Sequence, residues 1–266
     1  MGKTMTYEEI IVQHEDRIGI IRLNRPEKLN ALSARMADEV TEAVESLSAN
    51  KGVGVVVLAG MGKGFCAGGD LADMVNPPAS PVEFFDWLRI HGNRMIRTLH
   101  FCGKPTIASV GGPAMGAGFN MALACDMILA SPNASFGQVF IRLGLHPDCG
   151  GIFFLPRRIG TAQACELIFT GEIISAEKAY EIGIVNRVVN PHQLEEETRK
   201  LAAKIACGPP IALTLAKRNI YKGMDVDLDT VLELEGYAQS ALTQTQDYLE
   251  GVSAFKEKRT PRFQGK

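Results

Sequence analysis

The 266-residue chain lacks any apolar run of membrane-spanning length, although 46% of it is hydrophobic. It therefore reads as a globular chain with a large core and no membrane role. Nor does one sign of charge dominate. Its 28 Lys and Arg face 30 Asp and Glu, a formal charge of −2, so no global basic field invites nucleic acid. None of the six cysteines forms a CxxC pair or a Cys/His ligand spacing. That argues against zinc modules and predicts free thiols, no metal and a reducing, cytoplasmic setting. The opening "MGKTMTYEEI" has no secretory apolar stretch, which agrees with that setting. No repeat or low-complexity linker is visible.

What is present is an ordered alternation of elements. "EEIIVQHEDRIGIIRLNRP" alternates as two strands about a Glu15-Asp16 turn. In "ALSARMADEVTEAVESLSAN", Met36, Val40, Val44 and Leu47 recur on one helical face behind a Ser33 cap. "VGVVVLAG", "KPTIASVGG" and "CDMILASP" read as buried parallel strands separated by helical stretches. Beyond residue 160 nearly everything reads as helix, with only "IVNRVV" strand-like. The pattern predicts an α/β class, with a core over residues 1–200 and a helical region over 201–266. "VNPPASPVEFFDW" is expected to be a mobile loop from its prolines. In "FFDWLRIHGNRMIRTLH", Phe85, Leu88, Met95, Ile96 and Leu99 fall near helical spacing, as a pocket wall or plain core.

Two Gly-rich turns follow strands and precede helices: "GFCAGGDL" (64–71) and "GGPAMGAGFNMALACD" (111–126). Both offer main-chain N–H groups at the positive end of a helix dipole, suited to a developing negative oxygen. Neither has the GxGxxG register with a ribose acid, and neither ends in GK[ST], which argues against dinucleotide and phosphate loops. Cys66 and Cys149, in Gly-rich motifs, are nucleophiles or simply small buried residues.

Together "FCAGGDL", "KPTIASVGGPAMGAGFNMALACDMILASPNASFGQ" and "SAFKEKRTPRF" resemble the crotonase (enoyl-CoA hydratase/isomerase) superfamily, over about residues 8–262. The resemblance implies a crotonase-type ββα superhelix (the ClpP/crotonase-like spiral), C-terminal helices in trimer contacts, and a homotrimer or dimer of trimers. It implies an acyl-CoA thioester as substrate and no separate cofactor. Two main-chain donors would hold the thioester oxygen, by motif position those of Ala67 and Ala117, with Gly69 and Asp70 also lining the substrate. Asp70 and Asp126 would be a helix cap and a packing partner.

Two glutamates of the family's hydratases correspond to Asn120 and Phe140 here. An amide does not titrate near neutral pH and a phenyl ring accepts no proton, so the two-carboxylate hydration machinery is missing. Both residues are left as substrate-binding candidates, Asn120 either donating a hydrogen bond to orient a group or satisfying only local backbone. Instead "GLHPDCGGIFFLPRRIG" is similar to the pattern of the 1,2-epoxyphenylacetyl-CoA isomerase-like enzymes, in which one aspartate shuttles a proton. That role falls on Asp148, a carboxylate in an apolar setting whose burial should raise its pKa. Capping of the helix near Gly150 is its bland alternative, and His146 lies within reach. For coenzyme A the resemblance points to Arg25, Lys28 and the main chain at Leu29 and Ala31, and to Phe255 and Lys258 from a neighbouring subunit. An enoyl-CoA isomerase is the expectation. A hydratase is the alternative, a dehalogenase or thioesterase a weaker one, and a non-catalytic acyl-CoA binder the reading from a different class.

Overall fold

The computed structural model describes residues 7–70 and 80–266. Ile10–Glu15 (β1) and Ile18–Leu23 (β2) form a hairpin whose two turn residues, Asp16 and Arg17, have φ of 47° and 64°. Two left-handed residues give the turn the twist of its strands. Ser33 then accepts the Met36 N–H at 3.0 Å and starts Ala34–Ala49 (α1), which buries the face containing Met36, Val40, Val44 and Leu47. The chain continues through Val55–Gly60 (β3), Pro81–Ile90 (α2), Gly92–His100 (α3), Thr106–Val110 (β4) and Ala114–Met115 (β5). Ala117–Ala124 (α4), Met127–Ala130 (β6), Ser135–Gly137 (β7), Gly151–Ile159 (α5) and Thr161–Thr170 (α6) follow. Ile173–Ser175 (β8), Ala176–Glu181 (α7), Arg187–Val188 (β9) and Leu194–Ala206 (α8) lead to the last helices, Pro210–Gly223 (α9), Leu228–Leu242 (α10) and Gln246–Glu257 (α11).

The larger sheet has the order β1-β2-β3-β4-β6-β9, parallel from β2 onward, and a smaller sheet pairs β5, β7 and β8. β4 is buried at every residue, as a strand covered on both faces must be. On one face lies the main core, including Met36, Val44, Leu58, Met95 and Leu99. On the other, Leu194, Ala202 and Ala206 of α8 cover Ile20, Val57, Ile107 and Leu129. The division expected at residue 200 therefore falls inside a helix that belongs to the core.

Three other expectations need adjustment. Of the proline-rich stretch, residues 75–79 lie outside the described residues, and from Pro81 the chain is helical behind a Ser80 cap rather than a loop. Met95, Ile96 and Leu99 are core, but Phe85 is 63% exposed and so is not core. The three-residue β8, hidden between two helical patterns, is too short for an alternation to register.

Asp126 ties the C-terminal helices to the sheet. Its Oδ2 accepts the Thr106 N–H (2.7 Å), the Thr106 hydroxyl (3.0 Å) and the Lys217 ammonium (2.9 Å), and Oδ1 accepts the Tyr221 hydroxyl (2.7 Å). Lys217 and Asp126 are both largely shielded from solvent, so removing one leaves the other uncompensated. Asp126→Ala is expected to cost about 3–5 kcal/mol in denaturant unfolding; a loss below about 1 kcal/mol would place the pair among surface contacts.

Candidate active site

The strip of residues 65–70 runs between the 29–32 segment on one side and β5 on the other. The Cys66 C=O accepts the Met115 N–H at 2.9 Å, so that peptide faces β5. In a trans peptide the following N–H points the opposite way, and the Ala67 N–H accordingly donates to the Leu29 C=O at 3.0 Å. Two residues on, the Gly68 C=O accepts the Leu32 N–H at 2.7 Å. With no cis bond in between, the Gly69 N–H must point away from Leu32. It has no acceptor among the described residues. The donor expected at Ala67 is thus committed elsewhere, and the turn presents Gly69 in its place.

Opposite this strip, Gly116 takes φ 49° and opens α4, every residue of which is buried. A Cβ at Gly118 would stand 2.3 Å from the Cys66 carbonyl oxygen, so only glycine lets the start of α4 lie against the strip. The Ala117 N–H, in the first turn, has no helical partner and no acceptor among the described residues. The strip that carries the free Gly69 N–H and the start of α4 that carries the free Ala117 N–H thus lie against each other, at Cys66 and Gly118.

Asp148 enters from the loop before α5. Cys149 and Gly150 are left-handed in succession, φ 46° and 79°. The tight turn this makes has the Asp148 C=O accepting the Gly151 N–H at 3.0 Å. The helix is capped by Gly150 without a side-chain bond, so Asp148 is not its cap. Its Oδ1 is buried and has no hydrogen-bond partner among the described residues. Burial pushes this carboxyl above the usual range, against a smaller pull from the Cys149 thiol and His146. His146 itself is exposed. Burial also pushes the Cys66 thiol up to about 11 and that of Cys149 well above its ordinary value. Both therefore stay protonated, which argues against nucleophilic roles.

The two positions of the missing glutamates are filled and closed. Asn120 is fully buried, donating from Nδ2 to the Asp148 C=O at 2.8 Å and accepting from Gln138 Nε2 at 2.6 Å. Phe140 is buried, its ring 3.4 Å from where a Cβ on Gly116 would stand. Gln138 escaped the sequence reading because a single polar residue at a strand end carries no periodic signal.

The coenzyme A candidates separate into two groups. Arg25 is drawn inward, onto Asp70 Oδ2 (2.6 Å), the Ala31 C=O (2.7 Å) and Glu9 (3.3 Å). With two carboxylates on its guanidinium it is a structural ion and not an open phosphate partner. Lys28, half-exposed, shares Asp70 at 3.0 Å, and Leu29 stands exposed in the left-handed region. Asp70 is thus an ion-pair partner on this side; the residues it was expected to cap lie outside the described ones. Asn30, also missed, pins the segment by donating to the Met61 and Gly64 carbonyls at 2.9 and 2.8 Å. Phe255 is 86% exposed and lines a groove of about 540 Å³ with Pro209, Leu242, Tyr248 and Phe263. None of the residues gathered around Asp148 lines that groove. Lys258 closes α11 in the left-handed region. Among the described residues no His, Cys, Asp and Glu cluster suits a metal ion, and no helix is long and apolar enough to cross a membrane.

Residues 13–266 match the enoyl-CoA hydratase/isomerase family. The crotonyl-CoA hydratase of Syntrophomonas wolfei subsp. wolfei is 37% identical over 260 residues, 97% of this chain and 99% of the relative. The 1,2-epoxyphenylacetyl-CoA isomerase of Escherichia coli is 38% identical over the same length and shares. An enoyl-CoA hydratase structure from Geobacillus kaustophilus superposes with a TM-score of 0.92 at 42% identity, covering 98% of this chain and 99% of that one. With these matches along nearly the whole chain, this protein belongs to the enoyl-CoA hydratase/isomerase family of the crotonase fold.

Proposed function

We propose that the chain is an enoyl-CoA isomerase that moves a double bond along an acyl-CoA thioester, with Asp148 carrying the proton. The observation that supports this most is the buried, unpartnered Asp148 Oδ1 in a site whose other two acid positions hold an amide and a phenyl ring. Ionised Asp148 takes a proton from C2 of a 3-enoyl thioester. The electron pair delocalises onto the thioester oxygen, where the Gly69 and Ala117 N–H groups stabilise it, each worth on the order of 3 kcal/mol. Asp148 returns the proton at C4, leaving a conjugated 2-enoyl thioester and the carboxylate as it began. No water is consumed, so no second carboxylate is required. The raised pKa serves both halves, a stronger base first and a competent acid second.

Hydration is the second reading, favoured by the name of the Syntrophomonas relative. It would require Asp148 alone to activate water and then reprotonate carbon. Lys28 and the main chain at Leu29 and Ala31 are proposed to line the coenzyme A channel. Phe255 and Lys258, remote from Asp148 within one chain, are proposed to serve the site of a neighbouring copy in a trimer.

The test is mass and ultraviolet spectra of the protein and of Asp148→Asn with 3-enoyl- and 2-enoyl-CoA. Conjugation without mass change, reduced about 10²–10⁴-fold in the variant, is expected. A gain of water on the acyl chain would establish the hydratase instead, and cleavage by water into free acid and coenzyme A a thioesterase. Binding without turnover in both proteins would establish a binder. Since the base must be ionised, kcat/KM of the native protein should climb with pH through a value above the ordinary carboxylate range.

The same raised pKa affects stability. Between the unfolded and folded pKa values the native state binds more protons, so stability falls as pH rises through that window. Asp148→Asn removes this loss and is expected to unfold at higher denaturant than the native protein at pH 7, with the difference vanishing below about pH 4. Equal midpoints at both pH values would mean that the carboxyl is not perturbed.

A further inference from the structure

The hydrogen-bond directions around Asn120 can be assigned without seeing a proton. A backbone C=O only accepts, so the Asn120 atom facing Asp148 O at 2.8 Å is the amide nitrogen. Oδ1 then faces Gln138, which must present its own nitrogen, at 2.6 Å. Gln138 Oε1 is left buried without a partner among the described residues, and Gln138 itself is only 1% exposed. A buried unmade bond of this kind is uncommon and calls for an explanation. The space is also specific to this pair, because a Cβ on Gly151 would stand 2.6 Å from Asn120 Nδ2.

We infer that Gln138 and Asn120 act as a positioning pair for the reaction: a one-way chain of amides that sets where the Asp148 carboxylate stands, and in which residue 120 must be a donor. Asn120 is three residues beyond Ala117 on α4, one turn along the same face. The same helix therefore fixes an oxyanion donor and the loop of the base, and their separation is set within one rigid element. A carboxylate at 120, as a hydratase would have, would turn a lone pair on the Asp148 carbonyl and push the loop away. The chain's amide at this position is then a requirement of the single-aspartate site, beyond the loss of a titrating group. This inference rests on Asp148 being the base.

Asn120→Asp tests it, since the shape is kept and only the donor is lost. The carboxyl it introduces can still donate to the Asp148 C=O when protonated, whereas its ionised form cannot. Titratable groups around the pair are His146 and Cys149 on the loop and Cys66 on the strip. His91, beside α3, is bound to Asp38 at 2.8 Å, and Arg158 of α5 to the carbonyls of Leu123 and Cys125. The native enzyme should show kcat rising with pH to a plateau. The variant, which needs Asp148 ionised and the introduced carboxyl protonated, should show a bell with a new descending limb. At the plateau pH its kcat should fall about 10²-fold, with KM within about threefold because the donors to the thioester are untouched.

Gln138→Met, which strands Asn120 Oδ1 but adds no titrating group, should lower kcat about tenfold without the descending limb. If Asn120→Asp does not fold, the split between kcat and KM in Gln138→Met carries the test alone. An unchanged kcat per folded enzyme in either variant, or a native-shaped profile in Asn120→Asp, would overturn the inference. Asp148→Asn measured alongside separates the two readings. If it stays active, the proton-shuttle assignment itself fails; if it is dead while Asn120→Asp keeps its kcat, only the positioning pair is lost.

Discussion

The site depends on how closely the start of α4 approaches the strip of residues 65–70. That approach exists because Gly118 has no side chain; any Cβ there would overlap the Cys66 carbonyl and Cβ. A shift of α4 by even a methyl radius would separate the Ala117 and Gly69 donors and carry Asn120, and with it the Asp148 loop, in the same direction. The interior is close-packed, so such a shift would not be absorbed by neighbouring side chains. One glycine therefore conditions the spacing of the two main-chain donors and the Asp148 loop together.

The strip is held on both sides by bonds that leave few groups free. On one side Leu29 and Leu32 take the Ala67 N–H and the Gly68 C=O; on the other Met115 takes the Cys66 C=O. Behind it, Arg25, Lys28, Glu9 and Asp70 form a charge cluster whose Arg25 and Asp70 side chains are about nine-tenths shielded. Desolvated ions of this kind contribute little net stability but strongly disfavour any arrangement that unpairs them. Their effect here is to fix the register of the 25–32 segment against the strip. The direction of each peptide at 66–70, and so which N–H is left for a ligand, follows from that register.

Much of this was legible in the residues. The hairpin, the Ser33 cap, the buried parallel strands and the helical C-terminal part all follow from periodicity and turn chemistry, because burial on one or two faces imposes those patterns. Asp148 stood out as an acid in an apolar stretch, and burial raises its pKa. What could not be read was anything that depends on alternation by a single residue or on a neighbour distant in sequence. Motif position alone chose Ala67 over Gly69, yet successive peptides point to opposite sides, so a shift of two residues along the strip changes the donor's partner. Arg25 looked like a phosphate ligand until Glu9 and Asp70, 16 and 45 positions away in the chain, were seen to neutralise it. Phe85 fell near helical spacing with true core residues, but the chain breaks at His91 between two helices, and the phase is lost there.

The neutral residues at 120 and 140 also determine how Asp148 is perturbed. A carboxylate beside another carboxylate has its pKa raised by repulsion, and the pair then titrates as a unit. Here no like charge contributes, and desolvation is the leading cause of the rise. As the proposed base, a carboxyl raised by desolvation alone has no second acid with which to divide the work. It must therefore deliver the proton it removed, or lose it to solvent. The buried Oδ1, reached by no protein donor among the described residues, limits the second route. Under the proposed assignment of Asp148, the neutral residues at 120 and 140 that leave it without a second acid are consistent with return of the proton to carbon, the chemistry of a double-bond shift.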